Sequence, residues 1–169
     1  MKQNIQDILN RQIQLEASSS QTYLAMAVWA ENKGYTGTTD FLYAHADEER
    51  MHMLKLIKFL NERGGEAVIP ALNAPKSDYK DLHEVFSTLL EHELHVTDSI
   101  NEIVYICLQE KDYTTHNFMQ WYVSEQLEEE ALARTVLDKL KLIGDDKGGL
   151  YLFDNDMKTI QAESQIQIQ

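Results

Sequence analysis

The stretch that most restricts this chain is residues 45–60, HADEERMHMLKLIKFL. Met51, Leu54, Leu56, Ile57, Phe59 and Leu60 recur at helical spacing, so the segment reads as a helix facing a core. Yet the inward side of its first half carries His45, Glu48, Glu49 and His52. A carboxylate taken out of water without a partner either picks up a proton or destabilises the fold. Any fold of this chain must therefore bring other charged groups, or cations, to that helix.

The breaker residues divide the rest into four long helices. The two prolines, Pro70 and Pro75, fall in one region, and the glycines cluster at residues 34–37, 64–65 and 144–149. A first helix is predicted from about Ile5 to Asn32, with Ile5, Ile8, Leu9, Ile13, Glu16, Tyr23 and Ala27 near one face. A second runs from near Thr38, with Thr39 as a possible cap, to about Glu62. The third spans about Asp81 to Gln109, its stripe formed by Leu82, Phe86, Leu89, Glu93, Val96, Ile100, Ile103 and Cys107. A fourth runs from near Thr114 to Leu142, so the bundle occupies about 5–142. LYLFDNDMKTIQ reads as a short final helix at about 148–160, followed by a mobile tail at about 162–169. Residues 62–79 are too many for a tight turn and read as a crossover along the bundle. The expected architecture is all-α: a ferritin-like four-helix bundle with one long crossover and a short C-terminal fifth helix, in a single domain covering 1–169.

Each helix offers a polar group to the centre near mid-length. Glu16 and Tyr23 are two turns apart, and Glu49 and His52 are three residues apart. Glu93 lies between Leu89 and Val96 in an apolar stripe. Gln126 and Glu129 are again three apart, flanked by Tyr122 and Ala133. A lone Glu-x-x-His is common on a solvated helix, and EQLEEE could be such a face. His45 and His92 taken singly read as surface groups or supports for a ligand, and Trp121 as a packing aromatic. Agreement at matching depth on four helices is what favours a metal site. Converging carboxylates repel one another, and a pair of divalent cations relieves that repulsion; oxygen-rich ligands with an imidazole suit iron.

The totals agree with that chemistry. A formal net charge of −13 argues against contact with nucleic acid phosphates and suits a protein that attracts cations. Cys107 is the single cysteine, so no intrachain disulfide forms, and an inert helix thiol in a reducing, cytoplasmic setting is the economical expectation. Neither a leader pattern nor an apolar run of membrane-spanning length is legible, so no membrane partner is expected.

HADEERMHM, FMQWYVSEQLEEE and LYLFD, with Glu16, Tyr23, Glu49-x-x-His52 and Glu93 at their intervals, resemble the bacterial non-haem ferritins over nearly the whole chain. The resemblance implies a ferroxidase centre within each subunit. Glu16, Glu49 and His52 would hold one iron, with Glu49 bridging. Glu93 and Glu129 would hold a second, with Gln126 beside it. A third position would use Glu48, Glu125, Glu128 and Glu129. Tyr23 resembles a family tyrosine hydrogen-bonded near the centre. The haem-containing bacterioferritins carry Glu-x-x-His where this chain has Gln126-x-x-Glu129, and their haem-ligating methionine falls where Arg50 stands, so no haem is expected. The DNA-protecting miniferritins place their ligands between subunits, unlike the complete set here.

The implied function is iron storage and detoxification: oxidation of Fe(II) by O2 or H2O2 and deposition of ferric mineral inside a homo-24-mer shell. LYLFDND is expected near a symmetry axis on resemblance alone. The competing readings are a di-iron peroxide-reducing enzyme of the same fold and a non-catalytic helical scaffold. Against the first stand the missing second Glu-x-x-His and the absence of a Cys-x-x-Cys module, and against the second the few Lys or Arg residues on the acidic stripes.

Overall fold

The structure, a computed structural model, describes the backbone of residues 1–167 and side chains through residue 160. Five helices follow one another: α1 (Gln3–Lys33), α2 (Thr36–Glu62), α3 (Leu82–Gln109), α4 (Tyr113–Ile143) and α5 (Lys147–Gln167). No strand occurs among the described residues. The four bundle helices lie within a few residues of the ranges predicted from periodicity. α5 continues past the expected 148–160, and of the tail expected at 162–169, residues 168 and 169 lie outside the described residues.

Local chemistry sets the ends. α1 stops at Gly34, whose φ of +85° is left-handed and easy only for glycine. There the Tyr35 N–H reaches back to the Ala30 carbonyl at 3.0 Å, closing the last turn. α2 begins at once, so α1 and α2 form an antiparallel pair. Asp81 caps α3, accepting the Glu84 N–H at 2.8 Å. Asp112 caps α4, accepting the Thr115 N–H at 3.0 Å, and also receives both bonds of a forked contact from Arg63 at 2.9 and 2.8 Å.

Thr39 does not cap α2. It already lies inside the helix, and its hydroxyl donates to the Tyr35 carbonyl at 2.6 Å. The cap comes from α5: Asp154 accepts the Gly37 N–H at 3.1 Å and the Thr38 N–H at 2.8 Å. Chain order hides this contact, because the acceptor lies more than a hundred residues away. Gly37 makes the approach possible, since a Cβ there would sit 1.7 Å from the Asp154 carbonyl oxygen.

Two apolar clusters define the direction of each helix. One contains Ile5, Ile8, Leu9, Ile13, Leu56, Leu60, Val96, Ile100, Ile103 and Met119. The other contains Met26, Ala27, Phe41, Leu42, Phe86, Leu89, Val136, Phe153 and Met157. α1 and α4 run from the first cluster to the second, whereas α2 and α3 both run from the second to the first. The parallel relation of α2 and α3 is what requires the long crossover. The crossover is fixed to α1 by Asn10, which accepts from the Val68 N–H at 2.8 Å and donates to the Glu66 carbonyl at 3.0 Å. Farther on, the buried ring of Tyr79 meets Trp29 edge to face, with centroids 5.8 Å apart.

The contact between α5 and α2 yields a stability prediction. Asp154→Ala should lower the stability of the metal-free protein by about 1 kcal/mol through loss of the cap. Gly37→Ala should cost more, because backbone rather than a flexible side chain blocks the added methyl. Calorimetry of both variants against the parent checks the order.

Candidate metal centre

Between the two apolar clusters lies a belt of polar side chains, one or two from each bundle helix. α1 supplies Glu16, α2 supplies Glu49 and His52, α3 supplies Glu93, and α4 supplies Gln126 and Glu129; all six are at most 5 % exposed. On each helix the apolar stripe stops, the belt residues occupy its place, and the stripe resumes. Among the described residues, the ion pairs of Lys and Arg involve other partners, namely Glu110, Asp112, Glu84, Asp81, Glu130 and Asp156. The belt carboxylates have no basic counterweight of that kind.

Three groups of potential ligands form here, each with its donor atoms within 4.8 Å of one another: Glu16, Glu49 and His52; Glu48, His52 and Glu125; and His45, Glu48 and Glu129. In the first, His52 Nδ1 is 3.8 Å from Glu16 Oε2 and 3.7 Å from Glu49 Oε2. Adjacent groups share a residue, His52 or Glu48, so together they form a continuous path from the buried belt to half-buried Glu48 and Glu125.

Glu93 belongs to the belt but not to any of these groups. Tyr23, fully buried, donates a short hydrogen bond to Glu93 Oε1, and Gln126 Nε2 donates to Glu93 Oε2 at 2.9 Å. The structure thus joins Tyr23, Glu93 and Gln126 as a hydrogen-bonded set and leaves Glu129 with His45. Glu128 is exposed and outside the three groups.

Sequence reading underrates His45, since an isolated histidine carries no spatial signal. It is buried, stacked on Phe41 with centroids 4.1 Å apart, and its Nε2 lies 3.2 Å from Glu129 Oε2. Neither atom has a well-aligned hydrogen bond, so charge attraction dominates the contact. Gln12 was missed altogether, although it stands one turn before Glu16, to which it donates at 2.8 Å. His92 is half-buried beside Tyr23, with its ring near the Ser19 hydroxyl. Trp121 packs edge-on to His52 and Tyr122, and Lys55 lies over its face at 3.3 Å. Tyr122 donates to the His52 carbonyl at 2.8 Å, which ties α4 to α2 beside the belt.

Burial dominates the electrostatics. It raises Glu16 above its ordinary range and, with the charges of Glu93 and Glu16, raises Glu49 further. Burial and the Glu129 charge bring Glu93 to about 7. Burial and the charges of Glu48 and Glu129 bring Glu125 to about 7 as well. Burial likewise lowers His52 to about 4 despite opposition from Glu129, so its imidazole is neutral and has a free lone pair at neutral pH. For His45, burial is outweighed by Glu129, which with Glu48 and Glu93 brings it to about 9. For Glu129, burial is outweighed by His45, and the carboxyl falls below its ordinary range.

This belt fits cations. Glu16 Oε2 is buried without a hydrogen-bond partner, which is costly for a carboxylate oxygen unless a cation or a proton occupies the space beside it. Mixed carboxylate and neutral imidazole donors suit divalent first-row metals.

The same shifts determine a pH response. Glu93 holds its proton more tightly folded than unfolded, so its contribution to stability is full below about 4.5 and is lost as pH rises through about 7. Between pH 5 and pH 8, the metal-free parent should therefore lose on the order of 3 kcal/mol more stability than Glu93→Gln. Denaturant melts of both proteins at the two pH values measure the difference.

Comparison with known proteins agrees with this geometry. The profile of the ferritin-like domain matches residues 6–143. A probable bacterial non-heme ferritin-like protein of Haemophilus influenzae is 46 % identical over 97 % of this chain and 99 % of its own. The bacterial non-heme ferritin of Campylobacter jejuni is 44 % identical over 95 % of this chain and 96 % of its own. Among solved structures, the open pore ferritin of Archaeoglobus fulgidus superposes with a TM-score of 0.92 at 39 % identity, covering 94 % of this chain and 98 % of its own. With a domain match across the whole bundle and relatives aligned almost end to end, the chain belongs to the ferritin family, alongside the bacterial non-haem ferritins.

Proposed function

We propose that this protein is a ferroxidase that stores iron: it oxidises Fe(II) within the bundle and passes Fe(III) to a mineral inside a shell of its own copies. The observation that carries this reading is the group formed by Glu16, Glu49 and His52, buried in mid-bundle and, among the described residues, without a Lys or Arg ion pair. Membership of the ferritin family and the names of its relatives support it.

Ferrous iron is the substrate. Glu16, Glu49 and His52 would bind one ion, and Glu93 and Glu129, with Gln126 beside them, a second. Two Fe(II) ions each lose one electron; O2 takes both, with two protons, and leaves as H2O2, or H2O2 takes both, with two protons, and becomes two waters. Carboxylates favour Fe(III) over Fe(II), which makes electron loss easier. Entry of a cation also displaces the proton that burial holds on Glu93, so binding strengthens as pH rises toward 7. Tyr23 would orient Glu93, to which it donates. Neutral Gln126 in place of a charged ligand lowers the hold on oxidised iron and suits release to a store.

A third position at Glu48, Glu125, Glu128 and Glu129 would lie on the way out, and the residues shared between neighbouring ligand groups support such a path. A homo-24-mer shell, a cytoplasmic location and the absence of haem complete the reading. No helix among the described residues is long and apolar enough to cross a membrane.

Replacing both Glu49 and His52 with alanine should abolish fast Fe(II) oxidation, followed by stopped-flow absorbance, while assembly persists. Equal initial rates in the double variant and the parent would overturn the assigned centre. Size-exclusion with iron analysis tests storage: far more than two irons per chain, co-eluting with a large particle, is expected. About two per chain in a small oligomer would instead favour the peroxide-reducing enzyme. Glu125→Ala with Glu128→Ala should slow later turnovers and spare the first; loss of the first event would refute the separation of the third site.

A further inference from the structure

We propose that Gln12, held by Ser99, is a positioning residue that decides which oxygen of Glu16 is offered to a cation. The inference rests on the reading of Glu16, Glu49 and His52 as an iron site.

Gln12 is fully buried on α1, one turn before Glu16. Both ends of its amide are engaged: Nε2 donates to Glu16 Oε1 at 2.8 Å, and Oε1 accepts from the Ser99 hydroxyl of α3 at 2.6 Å. These two contacts fix the amide in one sense. Turned over, its carbonyl would face the Glu16 carboxylate, setting acceptor against acceptor in a site where water cannot intervene. The hydroxyl of Ser99 can donate or accept, so Glu16 selects the amide end and Ser99 secures it.

The consequence falls on Glu16. Its Oε1 is occupied by Gln12, while Oε2 is buried, lacks a hydrogen-bond partner and faces His52 Nδ1 at 3.8 Å. Glu16 thereby carries one hydrogen bond on Oε1 and presents Oε2 as its open oxygen. Ser99 also lines an open cleft of about 610 Å³ between α1 and α3, with Arg11, Leu15, His95 and Asp98.

The test is Co2+ titration of the full-length, metal-stripped protein, read by calorimetry and by visible absorption. Supporting groups around metal ligands typically change affinity by 10-fold or more. Gln12→Leu and Ser99→Val should each weaken the first Co2+ by about tenfold and alter its absorption bands. Ser99→Thr keeps the hydroxyl at the same size as valine and should match the parent. Parental affinity and spectrum in Gln12→Leu, even with a lowered melting temperature, would overturn the proposal by reducing Gln12 to a packing role. If Gln12→Leu does not fold, the isosteric pair decides, and equal Co2+ binding by Ser99→Val and Ser99→Thr overturns it. The reference variant Glu49→Ala with His52→Ala should lose the first Co2+; if it retains that ion, the iron-site reading itself fails, and this inference with it.

Discussion

The structure depends on one unfavourable arrangement: several carboxylates taken out of water together in the middle of a helical bundle. Removing a carboxylate from water costs several kcal/mol after relaxation, and neighbouring negative charges add to that cost. The chain meets it in three ways. Glu129 is set against His45, Glu93 receives hydrogen bonds from Tyr23 and Gln126, and Glu16 receives one from Gln12. What remains is held as bound protons, which cations can replace. The belt is thus a store of binding free energy, built at the expense of the metal-free fold.

The apolar clusters on either side make this arrangement tolerable. Each is a packed core of its own, rich in Ile, Leu, Phe and Met, and each closes one end of the bundle. Burial in these clusters, at roughly 25 cal/mol per Å² of apolar surface, offsets the charged belt between them. They also keep the belt dry, and it is dryness that moves Glu93 up and His52 down. Stability and function are therefore in direct opposition at the belt and in agreement everywhere else in the core.

The belt is not symmetrical across the bundle. On the side of α2 and α4, ligand groups continue outward through Glu48 and Glu125. On the side of α1 and α3, the link to the belt is a hydrogen-bonded one: Ser99 and Gln12 lead inward from a cleft to Glu16. On the proposed function, a cation would meet acidic groups along one side and a hydrogen-bonded ligand at the other.

Periodicity made the four bundle helices legible, because an apolar stripe at helical spacing has few other uses and glycine marks where it stops. The same stripes exposed Glu16, Glu49, Glu93 and Glu129, since a carboxylate in an apolar row contradicts its surroundings. The length of residues 62–79 also indicated the crossover, as helices joined by a long segment can run parallel. Contacts between residues distant in sequence were not legible. Asp154 as the cap of α2, His45 against Glu129, and Ser99 on Gln12 each join different helices, and no local pattern encodes such a pairing. The sequence by itself determined which side chains must be buried and that the buried charges need partners, because both follow from spacing along one helix. Only the tertiary structure decided which partner each charge receives, because that depends on the rotation and depth at which the helices pack.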